Sequence, residues 1–170
     1  MGPLGVAVAG RAGRRTLGGV QRRIVGFVAD EFGDWVALLD CRHRQHVRDR
    51  SPFWPAPWVT DVAERERRIG STLDCPLCDR CELPDGLAVV RTTATWDERS
   101  MPDALRREHR VGTGRWGRLR VESGSLRFVA HTDPVTDVVV TPAHAQPIPP
   151  DVEHHVEPRG PTRFAIDFLA

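Results

Sequence analysis

The four cysteines of the chain fall at positions 41, 75, 78 and 81, and two histidines follow the first of them as Cys41-x-His43-x2-His46. Zinc is a borderline-soft cation that takes thiolate sulfur and imidazole nitrogen, four at a time in a tetrahedron where its role is structural. The Cys75-x2-Cys78 pair offers two such ligands from one tight turn. A Cys-x-His unit offers two more on an extended strand, because residues i and i+2 share a face. These spacings predict a zinc site in the front half of the chain, built from Cys41, His43, His46, Cys75 and Cys78. His43 fits the alternate-face geometry and His46 sits one loop further on, so either can complete the tetrahedron. Cys81 is read as a linker cysteine, with the alternative that it replaces one histidine as a fourth thiolate. Four protein ligands leave no open position, which suits a structural site rather than a catalytic one. The plainer alternative is a set of buried free thiols beside surface histidines.

The elements that must position these residues are legible around them. Residues 24–29 (IVGFVA) and 35–40 (WVALLD) are two apolar runs joined by an acidic, Gly-containing loop, the pattern of a β-hairpin. Its second strand delivers Cys41. Three prolines between Pro52 and Pro57 forbid a regular element there. Thr60 or Asp61 can cap a helix over 62–69, with Glu64 and Glu66 near its positive start and Gly70 at its end. A module of about 60 residues has a small core and gains most from a metal staple. Beyond residue 83 the texture changes. Strands are expected at 87–92, 117–122, 126–130, 137–141, 155–157 and 164–168, with a hairpin turn at 122–125 and one short helix at 102–107. Short strands at this spacing suggest a β-sandwich or small barrel. The fold expected is therefore mainly β: residues 1–20 as a disordered tail, 21–82 as a small α+β zinc-type module, and 83–170 as a β-sandwich or barrel.

Composition limits the function classes. The net charge is +1, all 24 basic residues are arginine, and 40% of the chain is hydrophobic. That balance excludes wholesale disorder and argues against a nucleic-acid binder, which usually carries a strongly basic face. No apolar run approaches the roughly 18 residues of a membrane helix. The arginines of the first twenty residues follow the short apolar stretch at 5–9, the reverse of a secretory signal. The expected compartment is the cytoplasm, where clustered cysteines stay reduced and read as metal ligands.

Two family resemblances follow from particular stretches. The segments IVGFVADEFGDWVALLDCRHRQHVRDRSPFWPAPW and IGSTLDCPLC resemble a small bacterial domain family of unknown function, DUF3565, over residues 21–80. Arg42 stands where that family has Gly, and Asp49 where it has His. The family implies no activity. In the back half, Pro149-Pro-Asp-Val-Glu-His154 resembles the cupin pattern Pro-x-Gly-x2-His, with Asp151 in the glycine place. The segments LPDGLAVVRTTATW, RREHRVGTGRWGRLRVESGSLRF, IPPDVEHHVEP and RFAIDF resemble the TehB/YeaR-like family (DUF1971) over residues 83–169. That resemblance implies a cupin-like double-stranded β-helix and a link to tellurite resistance. Some resistance proteins join this domain to a methyltransferase; these 170 residues hold no room for one and no glycine-rich nucleotide loop. It also makes His109 and His154 candidate metal ligands, with Asp167 or Glu153 as carboxylate partner, a set suited to Zn, Fe or Mn. The cupin Glu is missing, since Gly117 falls in its place. The alternative is that His109 and His154 are only hydrogen-bonded in a barrel mouth. His155 should point the other way along its strand, and His131 and His144 are expected to face solvent.

Three functions compete. The first is a non-catalytic, metal-binding stress-response protein, tied to tellurite or another oxyanion or to nitrosative stress. Its ligand would be a metal or a small anion gripped by Arg115, Arg118 and Arg120, and it could dimerise through the cupin-like part. The second is a cupin-type metal-dependent oxygenase or isomerase using His109 and His154. The third is a nucleic-acid or protein adaptor in which Arg42, Arg44, Arg48 and Arg50 flank Phe53, Trp54 and Trp58; the near-neutral charge makes it the weakest.

Overall fold

Two features shape Gln21–Ala29 (β1): a β-branched apolar run and a glycine, Gly26, that lets the strand bulge. In the computed structural model, which describes residues 18–53 and 55–170, β1 lies inside a four-stranded antiparallel sheet. Its neighbours are Trp35–Leu39 (β2) and Thr72–Asp74 (β4), and Arg44–Val47 (β3) flanks β2. The β1–β2 loop is closed by Asp30, whose carboxylate accepts the amides of Phe32 and Asp34 at 2.9 Å each, while Gly33 takes φ 83°. The β2–β3 turn is tighter: Leu39 N–H donates to the His43 carbonyl at 3.0 Å, and Arg42 adopts φ 70°. Asp61 caps Val62–Arg68 (α1) by accepting the Glu64 amide at 2.9 Å, and Gly70 at φ 88° turns the chain into β4. Pro76–Asp79 (α2) is a single turn with proline at its start. The expected tail falls, up to residue 17, outside the described residues, as does Trp54 of the aromatic patch.

The second part is a pair of antiparallel sheets. One has the order Gln146–Ile148 (β10), Trp116–Ser123 (β7), Arg163–Leu169 (β12), Val89–Thr92 (β5), with Trp96–Asp97 (β6) also on β12. The other has the order His154–Pro158 (β11), Leu126–Ala130 (β8), Thr136–Val140 (β9). Alternate residues Leu119, Val121, Phe164 and Ile166 of the first pack on Leu126, Phe128, Val140 and Val156 of the second. The strands expected from alternation are thus present, and Gly124 at φ 76° makes the β7–β8 turn, where any Cβ would strike the Pro161 carbonyl. The expected helix at 102–107 is a 3-10 turn over Asp103–Arg106. The short strands β3, β4, β6 and β10 carry too few residues for alternation to show. β10 holds Pro147 and sits at a sheet edge, where a missing N–H costs nothing.

The two parts meet along the outer face of β7 and β12. Trp116 and its cross-strand partner Leu169 point away from the sandwich core and are buried among Ile24, Leu39, Cys41, Cys75 and Cys78. The Trp116 indole N–H donates to the Cys41 carbonyl at 2.9 Å. Arg22, 4% exposed, reaches the Pro150 carbonyl at 2.6 Å. Asp79 accepts the amides of Val20 and Asp133 at 2.9 and 3.0 Å.

This junction generates a test. Replacing Trp116 with Phe keeps the ring and leaves the buried Cys41 carbonyl without its donor, at a cost of about 1–3 kcal/mol. Trp116→Ala adds a cavity and should cost about 3–5 kcal/mol. Urea unfolding of both variants checks this; a loss under about 1 kcal/mol for Trp116→Ala would show that the junction does not depend on the indole.

Candidate metal centre

Two turns, 34 residues apart in sequence, deliver the donors. The β2–β3 turn holds Cys41 and His43 on one face, and the turn from β4 into α2 holds Cys75 and Cys78. Because β1 pairs with both β2 and β4, the two turns close on one another. The Sγ atoms of Cys41, Cys75 and Cys78 and Nδ1 of His43 lie within 4.8 Å of one another, and all four residues are buried. Cys41 and Cys75 sulfurs are 3.9 Å apart, and His43 Nδ1 is 3.5, 3.3 and 3.5 Å from the sulfurs of Cys41, Cys75 and Cys78. A regular tetrahedron with Zn–S near 2.3 Å and Zn–N near 2.0 Å has edges of about 3.8 Å between sulfurs and about 3.5 Å from sulfur to nitrogen. The donors therefore have the separations a Cys3His metal site needs, and the cluster can bind a metal such as zinc.

Its surroundings orient the ligands. His43 Nε2 lies 3.0 Å from the Glu82 carbonyl and donates its N–H there, which leaves the Nδ1 lone pair facing the sulfurs. The His43 ring meets Trp116 edge-on, with centroids 5.3 Å apart. Arg22 Nε donates to the Cys78 sulfur at 3.2 Å. The electrostatics ask for positive charge. Contact with Cys41 lowers the Cys75 thiol pKa and raises that of Cys78, so the sulfurs compete for the same protons. Burial alone would lower His43, but the Cys41 and Cys75 sulfurs outweigh it and raise its pKa to about 9. A divalent cation at the centre answers the same demand and allows all three sulfurs to be thiolates.

The other predicted residues separate from this cluster. His46 lies on β3 one step out of phase with His43 and Val47, so it faces outward, exposed, with Nε2 2.9 Å from Asp30 Oδ2. Cys81 is buried instead in the sandwich core, its sulfur 3.7 Å from the Thr136 hydroxyl. His109 and His154 are brought together, ring centroids 4.2 Å apart, by a backbone bridge between them. Each commits Nδ1–H to a carbonyl: His109 to Arg107 at 3.0 Å, His154 to Val152 at 2.9 Å. Burial lowers the His154 pKa to about 4, so it is neutral. Among the described residues no carboxylate or thiol joins them as a third donor. Asp167 follows Ile166 and faces the opposite side of its sheet. There it accepts from Thr92 at 2.8 Å and is forked by Arg118 at 2.8 and 3.1 Å and by Arg120 at 2.8 and 3.1 Å. Glu153 pairs with Arg110 at 2.7 Å and with His131 at 3.3 Å, and His131 also meets Glu108 at 2.8 Å. Glu108, His131 and Glu153 are scattered over 46 residues and form no motif, which is why only the fold assembles them. Arg22 and the Glu82 carbonyl also escape sequence reading, because a buried arginine and a backbone acceptor carry no spacing signal.

Residues 25–82 match the family of unknown function DUF3565, and residues 91–166 match the TehB-like domain. The two matches fall on either side of the division expected from the sequence. No curated protein matches the chain. Among solved structures, TehB from Haemophilus influenzae aligns at 24% identity over 51% of this chain with a TM-score of 0.47, and only 32% of that protein is covered. A structural-genomics protein from E. coli (strain K12) aligns at 21% identity over 52% of this chain and 95% of its own, with a TM-score of 0.48. No helix among the described residues is long and apolar enough to cross a membrane.

Asp167 supplies a pH test. Its burial would raise the pKa, but Arg120, Arg118 and Thr92 bring it down to about 2. A depressed carboxylate contributes stability above its unfolded value near 4, and that contribution is lost as pH falls from about 4 to about 2. Asp167→Asn should therefore cost about 2–3 kcal/mol at pH 7, and the gap to wild type should close towards pH 2. Urea unfolding across that range checks it; a gap that stays constant would mean that the carboxylate charge is not the stabilising element.

Proposed function

We propose that this chain is a non-catalytic metal-binding protein in which one structural Zn²⁺, held by Cys41, His43, Cys75 and Cys78, staples a small module to a cupin-like binding sandwich. The observation that carries this reading is the closed, buried Cys3His set: three sulfurs and one nitrogen at tetrahedral separations. Four protein donors leave no position for substrate, so zinc here would fix structure and neutralise thiolates. A reducing, cytoplasmic setting would keep the cysteines available. The likeness of residues 91–166 to the TehB-like domain supports the binding role for the sandwich. A role in tellurite, other oxyanion or nitrosative stress rests on the family resemblance alone. A second reading, a cupin-type metal enzyme, is favoured by one observation: the rings of His109 and His154 lie together, and their Nε2 atoms have no hydrogen-bond partner among the described residues. The lack of a third donor weighs against it.

Elemental analysis of protein purified under reducing conditions should find about one zinc per chain. The zinc should be lost in Cys75→Ala and retained in His46→Ala and in His154→Ala, and chelation should lower the wild-type melting temperature. Metal-free wild type, or loss of metal in His46→Ala, would overturn the Cys3His assignment. A second metal lost only in His154→Ala would instead support the enzyme reading. For the stress role, sodium tellurite should raise the melting temperature of the zinc-loaded protein; no shift at millimolar tellurite would remove that ligand.

A further inference from the structure

We propose that the concavity between β5 and the turn at 111–115 is a binding site for a small oxyanion or carboxylate, gripped by Arg91 and Arg115. It has a volume of about 390 Å³ and is lined by Arg91, Val111, Gly112, Thr113, Arg115 and Phe168. This rests on the reading of the sandwich as a binding domain, not on the zinc centre.

Charge sets this hollow apart. Two guanidinium groups line it and no carboxylate does. Three other hollows among the described residues each carry acids: Asp40 and Asp151 in the cleft beside β1, Asp151 and Glu153 in the one beside His131, Asp61 and Glu64 in the one at α1. Five other arginines of the sandwich are already paired: Arg118 and Arg120 with Asp167, Arg127 with Asp137 and Glu157, Arg110 with Glu153, and Arg163 with Glu122; Arg99, Arg106, Arg107 and Arg159 are unpaired among the described residues but line none of these hollows. Arg91 and Arg115 have no ion-pair partner among the described residues. Of the three arginines that the sequence suggested for an anion, the structure thus leaves only Arg115 available, and adds Arg91 from across the sheet.

The hollow is also built to hold such a ligand. The Arg91 guanidinium carbon lies 5.8 Å from the centroid of the Phe168 ring, which restrains the side chain without using its donors. Val111 and Phe168 give the hollow an apolar floor. The turn is closed by the Arg115 N–H on the Gly112 carbonyl at 3.2 Å. The amides of Gly112, Thr113 and Gly114 have no acceptor among the described residues and remain as further donors. Nothing lies within 4 Å of the place a Cβ would take on Gly112, so the approach to that backbone is open. Guanidinium forks bind phosphate-like and carboxylate groups two bonds at a time.

The test is an NMR titration of the full, zinc-loaded chain with inorganic phosphate and, separately, malonate, at constant ionic strength. Saturable shifts confined to the Arg91 and Arg115 side-chain N–H groups and the amides of 112–115 are expected for at least one probe. Each of Arg91→Gln and Arg115→Gln should weaken binding about tenfold or more, the loss of one charge-assisted pair. Both residues are exposed, so the variants keep the wild-type spectrum elsewhere. Arg44→Gln, an exposed arginine on the other part, should bind as wild type does. Shifts that never saturate, or equal weakening in Arg44→Gln, would overturn the site. Saturable shifts centred on Arg110 or Arg118 would overturn it too, while leaving the binding role of the sandwich standing.

Discussion

Three sulfurs and an imidazole nitrogen, all buried and within 4.8 Å of one another, make a pocket that a positive charge among them would stabilise. A thiolate needs a counter-charge when water is removed, and three adjacent thiols compete for it. The rise of His43 to about 9 and the opposed shifts of Cys75 and Cys78 are two expressions of that demand. The local chain geometry follows from meeting it. Arg42 accepts a left-handed φ so that Cys41 and His43 face one way, and Pro76 starts the turn that sets Cys75 and Cys78 on the other side. β1, whose ladder joins both turns, is the frame that holds them at the required separation.

The same pocket reaches into the second part through groups that are not ligands. Trp116 touches the His43 ring and binds the Cys41 carbonyl, and Glu82, where the chain leaves the first part, fixes the His43 tautomer. Arg22 spans further still, with one nitrogen on the Cys78 sulfur and another on the Pro150 carbonyl. Pro150 leads directly to Asp151, at φ 54°, and to the buried His154. The sulfur cluster is therefore joined to the sandwich by short direct contacts.

How much of this could be read from the residues differs by element. The β1–β2 hairpin, α1 and the main sandwich strands follow from alternation, capping and turn chemistry, all of which act over a few residues. The Cys and His spacings point to the metal cluster, because ligand geometry constrains sequence locally. They do not decide between His43 and His46. That choice depends on strand phase: β3 runs straight on from the turn, so residues 43, 45 and 47 face inward and 46 faces out. Cys81 is similarly undecided by spacing, since the left-handed φ of 52° at that residue carries it out of the α2 turn and into the other core. Trp116 reads in sequence as a core or interface anchor, and it is one, but its partners Cys41 and His43 are not legible because they lie more than 70 residues away.

The two buried histidines show how far environment overrides residue type. Burial opposes charge on both, but the Cys41 and Cys75 sulfurs raise the His43 pKa to about 9, whereas burial lowers that of His154 to about 4. Anionic donors beside an imidazole favour a bound cation over a bound proton. Around His43 three sulfurs do so. Around His154 the nearest carboxylates are turned elsewhere: Asp167 lies on the far face of its sheet between two arginines, and Glu153 is held by Arg110 and His131. The apolar packing that makes His154 a good core residue is the same feature that lowers its pKa.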